Sequence, residues 1–145
     1  MRRILFASDF SKASRRAYTT ALDMAKRNRA KLTILHVIAP IVPVAPDAYV
    51  AFDTWDEIET QAREWARRQV AKLTDAAKKR GVRAVGVVTE GTAAREIIRA
   101  ARRLNADLVI IGTHGRTGLA KLFLGSVASA VVATSRCPVM TVRGR

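Results

Sequence analysis

Asp107-Leu-Val-Ile-Ile-Gly112-Thr-His-Gly115-Arg-Thr-Gly118-Leu-Ala-Lys-Leu-Phe-Leu-Gly125-Ser126-Val-Ala-Ser129 is the stretch whose reading decides the fold. It opens on Leu108 to Ile111, a short apolar run with β-branched residues, the pattern of a strand buried on both faces. It closes on Gly125-Ser126 and an Ala/Val run of helical length, with Ser126 suited to cap the helix. Between them Gly112, Gly115, Gly118 and Gly125 alternate with His114, Arg116 and Lys121. Glycine allows backbone N–H groups to approach a ligand without a Cβ in the way. A helix start adds unsatisfied N–H donors and the positive end of the dipole. The combination reads as an anion site, best suited to phosphates.

Outward from this stretch, strands and helices alternate. Arg3 to Ser8 reads as a first buried strand, ending at Asp9, with Ser11 or Ser14 as cap of the next helix. That helix carries Ala17, Ala21, Met24 and Ala25 on one stripe, small enough for close approach to a sheet. Lys31 to Val37 is a second strand. Ala39 to Asp53, with Pro40, Pro43 and Pro46, reads as an apolar loop, either a lid or a simple crossover. A long helix capped by Asp53 or Thr54 follows and ends at Gly81, with Ile58, Ala62, Trp65, Ala66, Gln69, Leu73, Ala76 and Ala77 on its inward face. Trp55 and Trp65 read as core or loop anchors rather than stacking platforms. Val82 to Thr89 is a third strand. Gly91 then turns the chain and Thr92 caps a helix that buries Ala94, Ile97, Ile98, Ala101 and Leu104. After the quoted stretch, a helix from Ser126 to about Thr134 and a strand from Pro138 to Val142 complete the order.

Such alternation predicts an α/β domain spanning residues 1–145, with helices on both faces of a five-stranded parallel sheet. The doubly wound strand order 3-2-1-4-5 makes the first and fourth strands neighbours and reverses the winding between them. Ligands bind outside the carboxyl ends of strands at that reversal, so Asp9 is expected beside Gly112 to Gly115. Other nucleotide folds fit less well. A dinucleotide fingerprint needs glycines after strand one, where Ala7-Ser8-Asp9-Phe10-Ser11 has none, and no segment satisfies the P-loop pattern. A phospho-acceptor receiver wants an acidic cluster after strand one and an Asp after strand three, where Thr89-Glu90-Gly91 stands.

The spacing Gly112-x2-Gly115-x9-Gly125-Ser126 resembles the nucleotide-binding signature of the universal stress protein family. Ser8-Asp9-Phe10-Ser11, Leu35-His36-Val37 and Cys137-Pro138-Val139-Met140-Thr141-Val142 resemble that family's first strand end, second strand end and closing strand, in the same order. The resemblance implies an adenine nucleotide alpha hydrolase-like fold. It implies that Ala7, Ser8 and Asp9 meet the adenosine, Asp9 accepting a hydrogen bond, and that Val37 borders the base. Gly112, His114, Gly115, Gly125, Ser126 and Val127 would then cradle ribose and phosphates, and Arg116 and Lys121 either add charge or face solvent. Asp9 has a second reading as a helix cap, and His36 reads as a structural hydrogen-bonder. The ligand expected is ATP, any Mg²⁺ arriving with the triphosphate. The resemblance also implies a homodimer through Val139 to Val142, whose apolar edge would need covering.

Composition narrows the class. With 145 residues, 49% of them hydrophobic and 26% charged, the chain reads as a soluble globular domain with no membrane span. Asp9 interrupts the N-terminal apolar run before it serves as a signal sequence, and the lone Cys137 cannot pair within the chain, so a cytoplasmic protein is expected. Two distant histidines provide no metal-ligand spacing. The charge of +14 favours polyanionic partners. A nucleic-acid binder is nevertheless the lesser reading, since no aromatic residues interleave the bases and no reading module is visible. Among carboxylates only Asp9 falls in the expected crevice, so slow or absent ATP hydrolysis is expected. The function expected is a stress-response sensor or regulator with an unidentified signalling partner; nucleotide-independent signalling by protein contact is the rival.

Overall fold

The computed structural model describes residues 1–40, 52–113 and 124–144, the side chains of 52–54 aside. Five strands, β1 (Arg3–Ala7), β2 (Lys31–Ile38), β3 (Arg83–Glu90), β4 (Leu108–Gly112) and β5 (Val139–Val142), alternate with α1 (Lys12–Arg27), α2 (Phe52–Lys79), α3 (Ala93–Arg103) and α4 (Ser126–Thr134). The strands pair in parallel in the order β3-β2-β1-β4-β5. The expected doubly wound sheet is therefore present.

Side chains alternate across each strand, and the two sets feed two cores. Ile4 and Phe6 of β1 and Leu108 and Ile110 of β4 pack with Ala17, Ala21, Val70 and Ala77 of α1 and α2. Leu5 and Ala7 with Val109 and Ile111 pack on the other face with Ile97, Ala101, Ala128 and Val131 of α3 and α4. Both strands are thus buried on both faces, each large side chain contributing about 1.5–3 kcal/mol.

α1 starts as its sequence indicates: Ser11 is the N-cap, its Oγ accepting the Ser14 amide at 3.1 Å. α2 departs from expectation. It begins at Phe52, so Asp53 and Thr54 lie within its first turn rather than at its cap. Ala66, Val70, Thr74 and Ala77 are its buried line, while Ile58 and Trp65 are exposed at 41% and 39%. The cause is length. Its 28 residues span ~42 Å at the helical rise, against ~26 Å for the eight-residue strands beneath. The first turns, with Ile58, extend past the strand ends, while Trp65 leans edge-on against Phe10 and His36 beside the end of β2. Gly86 on β3 permits the close approach: a Cβ there would stand 2.4 Å from Val70 Cγ1 and 2.8 Å from Thr74 Oγ1.

Candidate functional site

β1 and β4 are neighbours, with Ala7 in register with Ile111. Beyond their ends the chain leaves in opposite directions, into α1 on one face and toward α4 on the other. The space between is a crevice of about 300 Å³. Ala7, Ser8 and Asp9 form one wall, Leu35, His36 and Val37 a second, and Ile111, Gly112 and Thr113 the floor. Gly125, Ser126, Val127 and Ala128 of α4 close it opposite Ala93 and Ile97 of α3.

Each wall has a local cause. After β1 the chain turns sharply at Phe10, whose φ of 62° lies in the left-handed region, a conformation that costs a bulky residue about 1–3 kcal/mol. Two side chains hold the turn. Ser8 Oγ accepts the Phe10 amide at 3.2 Å and Asp9 Oδ1 accepts the Ser11 amide at 3.0 Å. Ser8 Oγ is also 2.8 Å from Ser14 Oγ, a buried hydroxyl pair joining strand end to helix start. Phe10 packs against His36 at 4.4 Å between centroids and meets Trp65 edge-on at 5.3 Å. His36 Nδ1 lies 2.7 Å from the Ser8 carbonyl, tying β2's end to β1's. The structural role expected of His36 is therefore present, and the residue lines the crevice as well.

The floor depends on Gly112. A Cβ there would come within 3.3 Å of the backbone of Ala13 and Ser14, so the bare glycine admits the start of α1 against β4. Thr113 ties three segments together: its amide donates to the Val142 carbonyl at 2.9 Å, and its carbonyl accepts the Gly125 amide at 2.7 Å. The ends of the glycine-rich segment are thereby joined directly, and α4 starts at the crevice rim. Its N-cap is Gly125, not Ser126, which is already helical. Gly125 has extended ψ of 153° and no side chain caps the helix. The first intrahelical bond runs from the Ser129 amide to the Gly125 carbonyl at 2.8 Å. The amides of the first turn, at Ser126, Val127 and Ala128, accordingly have no partner within the helix, and their dipole end faces the crevice.

Eight expected site residues, Ala7, Ser8, Asp9, Val37, Gly112, Gly125, Ser126 and Val127, thus line one cavity. His114, Gly115 and Arg116 lie outside the described residues. Leu35, Ile97, Ile111 and Thr113 also line it; sequence patterning assigned the first three to the core, and nothing in it marked Thr113. Two carboxylates elsewhere are committed to structure. Arg63 bridges Glu90, holding its carboxyl below the usual range, and also pairs with Glu59. Asp107 takes the amides of Arg2 and Arg3 at 2.5 and 2.8 Å, which depress its pKa. Asp9 is the one carboxylate lining the crevice among the described residues. Those residues contain no cluster of three or more metal-ligating side chains, and no helix among them is long and apolar enough to cross a membrane.

Comparison with known proteins matches the universal stress protein family over residues 1–143. A universal stress protein of Bacillus subtilis is 32% identical over 145 residues, covering 97% of this chain and 98% of that one. One from Methanocaldococcus jannaschii is 31% identical over 144 residues, covering 98% and 82%. Among solved structures, the hypothetical protein MJ0577 superposes with a TM-score of 0.84 at 24% identity, over 99% of this chain and 96% of that one. A universal stress protein in complex with cAMP gives 0.72 at 23% identity, covering 99% and 98%. Another, from Archaeoglobus fulgidus in complex with dAMP, gives 0.68 at 19% identity, covering 98% of each chain. These structures share the fold, and the sequence match extends across nearly every residue. The chain belongs to the universal stress protein family.

Proposed function

We propose that the chain is one nucleotide-binding domain that takes ATP in the crevice between β1 and β4 and acts as a cytoplasmic stress-response sensor or regulator. One observation carries the reading: the free amides of α4's first turn open onto the same cavity as the ends of β1 and β2. A cavity of about 300 Å³ is at the lower end for small-molecule sites and suits a nucleoside. Adenosine sits against Val37 and Ala7, its hydroxyls or amine within reach of Asp9. The phosphates leave toward Ser126 and Val127, where backbone donors and the helix dipole favour negative charge. His114, Gly115 and Arg116 complete the phosphate side, and Mg²⁺ enters with the triphosphate. That solved relatives hold cAMP and dAMP supports an adenine nucleotide as the class of ligand.

Hydrolysis is slow or absent in this reading. A water attacking the terminal phosphate needs a base to orient it. Asp9 stands on the β1 wall, across the crevice from the start of α4, and Glu90 is paired with Arg63. The test is the nucleotide content of protein purified without added ligand. Acid-released small molecules, read by absorbance and mass spectrometry, are expected to include an adenine nucleotide. Nucleotide-free protein whose melting temperature ATP fails to raise would contradict the reading.

A further inference from the structure

The parallel sheet gathers its strand starts and its helix ends at the edge opposite the crevice, and that edge is basic. Arg3 of β1 is in register with Lys31 of β2, and Lys31 with Arg83 of β3, so three cations stand side by side on adjacent strands. All three are exposed, as is Arg2 before them. Arg83 Nη2 donates to the Arg29 carbonyl at 2.7 Å, drawing that exposed arginine alongside the row. The helices end at the same edge in Lys26–Arg27, Lys78–Arg80 and Arg102–Arg103. Acids are few there among the described residues. Asp107 is engaged by the amides of Arg2 and Arg3, and Asp23 and Asp75 sit about a turn back along their helices. Glu59, Glu64, Glu90 and Glu96 lie toward the crevice end.

The helix macrodipole explains cations in last turns. It does not explain a row of like charges across neighbouring strands, which repel and weaken the pairing. A sheet that retains such a row presents it to something negative. The edge is lined mainly by arginine, whose planar fork suits phosphate. Among the described residues at this edge the exposed large apolar side chains are Met1, Val85 of β3 and Val132 in the last turn of α4, with no Trp, Phe or Leu among them to insert into a lipid surface.

We propose that the strand-start edge, centred on the row Arg3–Lys31–Arg83, docks the phosphate backbone of a nucleic-acid duplex. The contact needs neither stacking aromatics nor a base-reading helix, because it reads phosphates alone. It lies at the far end of the sheet from the nucleotide crevice and does not depend on that site being occupied.

The test is equilibrium binding of the whole protein to a mixed-sequence DNA duplex across a salt series. Three neutralised proteins are compared with wild type: R2Q/R3Q/K31Q/R83Q at the strand starts, K78Q/K79Q/R102Q/R103Q at the helix ends, and the control R16Q/R67Q/K72Q/R99Q on helix faces. Melting curves verify that each is folded. The account expects log K to fall linearly with log salt, the strand-start variant losing about 3–4 units of slope and roughly a hundredfold or more in affinity at ~50 mM salt. The helix-end variant loses a smaller part and the control least. Equal losses in all three would reduce the effect to bulk charge and overturn the proposal, as would absence of binding by wild type. Preferential binding to vesicles rich in phosphatidylserine, with DNA failing to compete, would overturn it in favour of a membrane. Thermal stabilisation by ATP, measured on the same variants, separates failure here from failure of the crevice reading.

Discussion

Asp9 combines two jobs that its position in the sequence left as alternatives. Oδ1 holds the Ser11 amide, fixing the turn into α1, and the residue also lines the crevice. Ser126 shows the opposite outcome. Its hydroxyl suited a cap by type, but the backbone enters the helix one residue earlier at Gly125, and the residue preference alone could not place that boundary. Asp107 was legible as a strand start; its bonds to the Arg2 and Arg3 amides depend on β1 lying beside β4 and so are invisible along the chain. Those amides hold its pKa below the ordinary aspartate value. A depressed carboxylate stabilises the fold above its unfolded pKa, and the contribution is lost as pH falls through the folded one. Asp107→Asn should therefore flatten the acid side of a melting-temperature profile from about pH 4 downward while changing the neutral value less than wild type changes across that span. An unaltered acid limb would show that the two bonds carry no such linkage.

At the scale of elements, the strands were legible because a strand buried on both faces is a run of apolar residues with nothing to interrupt it, as in Leu5 to Ala7 and Val109 to Ile111. The helices facing the sheet through alanine were legible for the same reason. Of α2's expected inward face, Ala66 and Ala77 are buried and Leu73 packs on the core, while Ile58 and Trp65 are exposed, because periodicity reports which residues share a stripe, not how closely the sheet approaches each of them. The decisive residue is on the partner: Gly86 admits Val70 and Thr74, both buried. Gly86→Ala puts a methyl 2.4 Å from Val70 Cγ1 and should destabilise the fold by about 1–3 kcal/mol in urea unfolding. Gly86→Ala combined with Val70→Ala should recover part of that loss. Destabilisation by less than ~0.5 kcal/mol in the single variant would mean that α2 shifts freely and is not locked against β3.

For the whole molecule, the order of elements was enough to bring Asp9 and Gly112 to one crevice, since a doubly wound sheet leaves little choice of neighbours for the first and fourth strands. What lay beyond the sequence was the segregation of charge to one edge, which needs the register of three strands. β5 is the outermost strand on its side of the sheet. Its ladder to β4 uses the carbonyls of Pro138 and Val142, so by alternation Val139 and Thr141 turn their amides outward. The donor that Pro138 lacks is on the inner side and leaves the outer edge intact. The proposed dimerisation through β5 predicts that wild type sediments as a dimer and that Thr141→Pro, which removes an outward amide without touching the β4 ladder, sediments as a monomer. A dimer that survives the substitution would place the contact elsewhere. The central claim is the adenine-nucleotide crevice, and the most direct measurement is titration calorimetry of ATP with Mg²⁺ into nucleotide-free protein. The account predicts saturable heat at one site per chain, with stabilisation of about 2.7 kcal/mol when ATP exceeds its Kd about a hundredfold; no heat and no shift in melting temperature at millimolar ATP would contradict it.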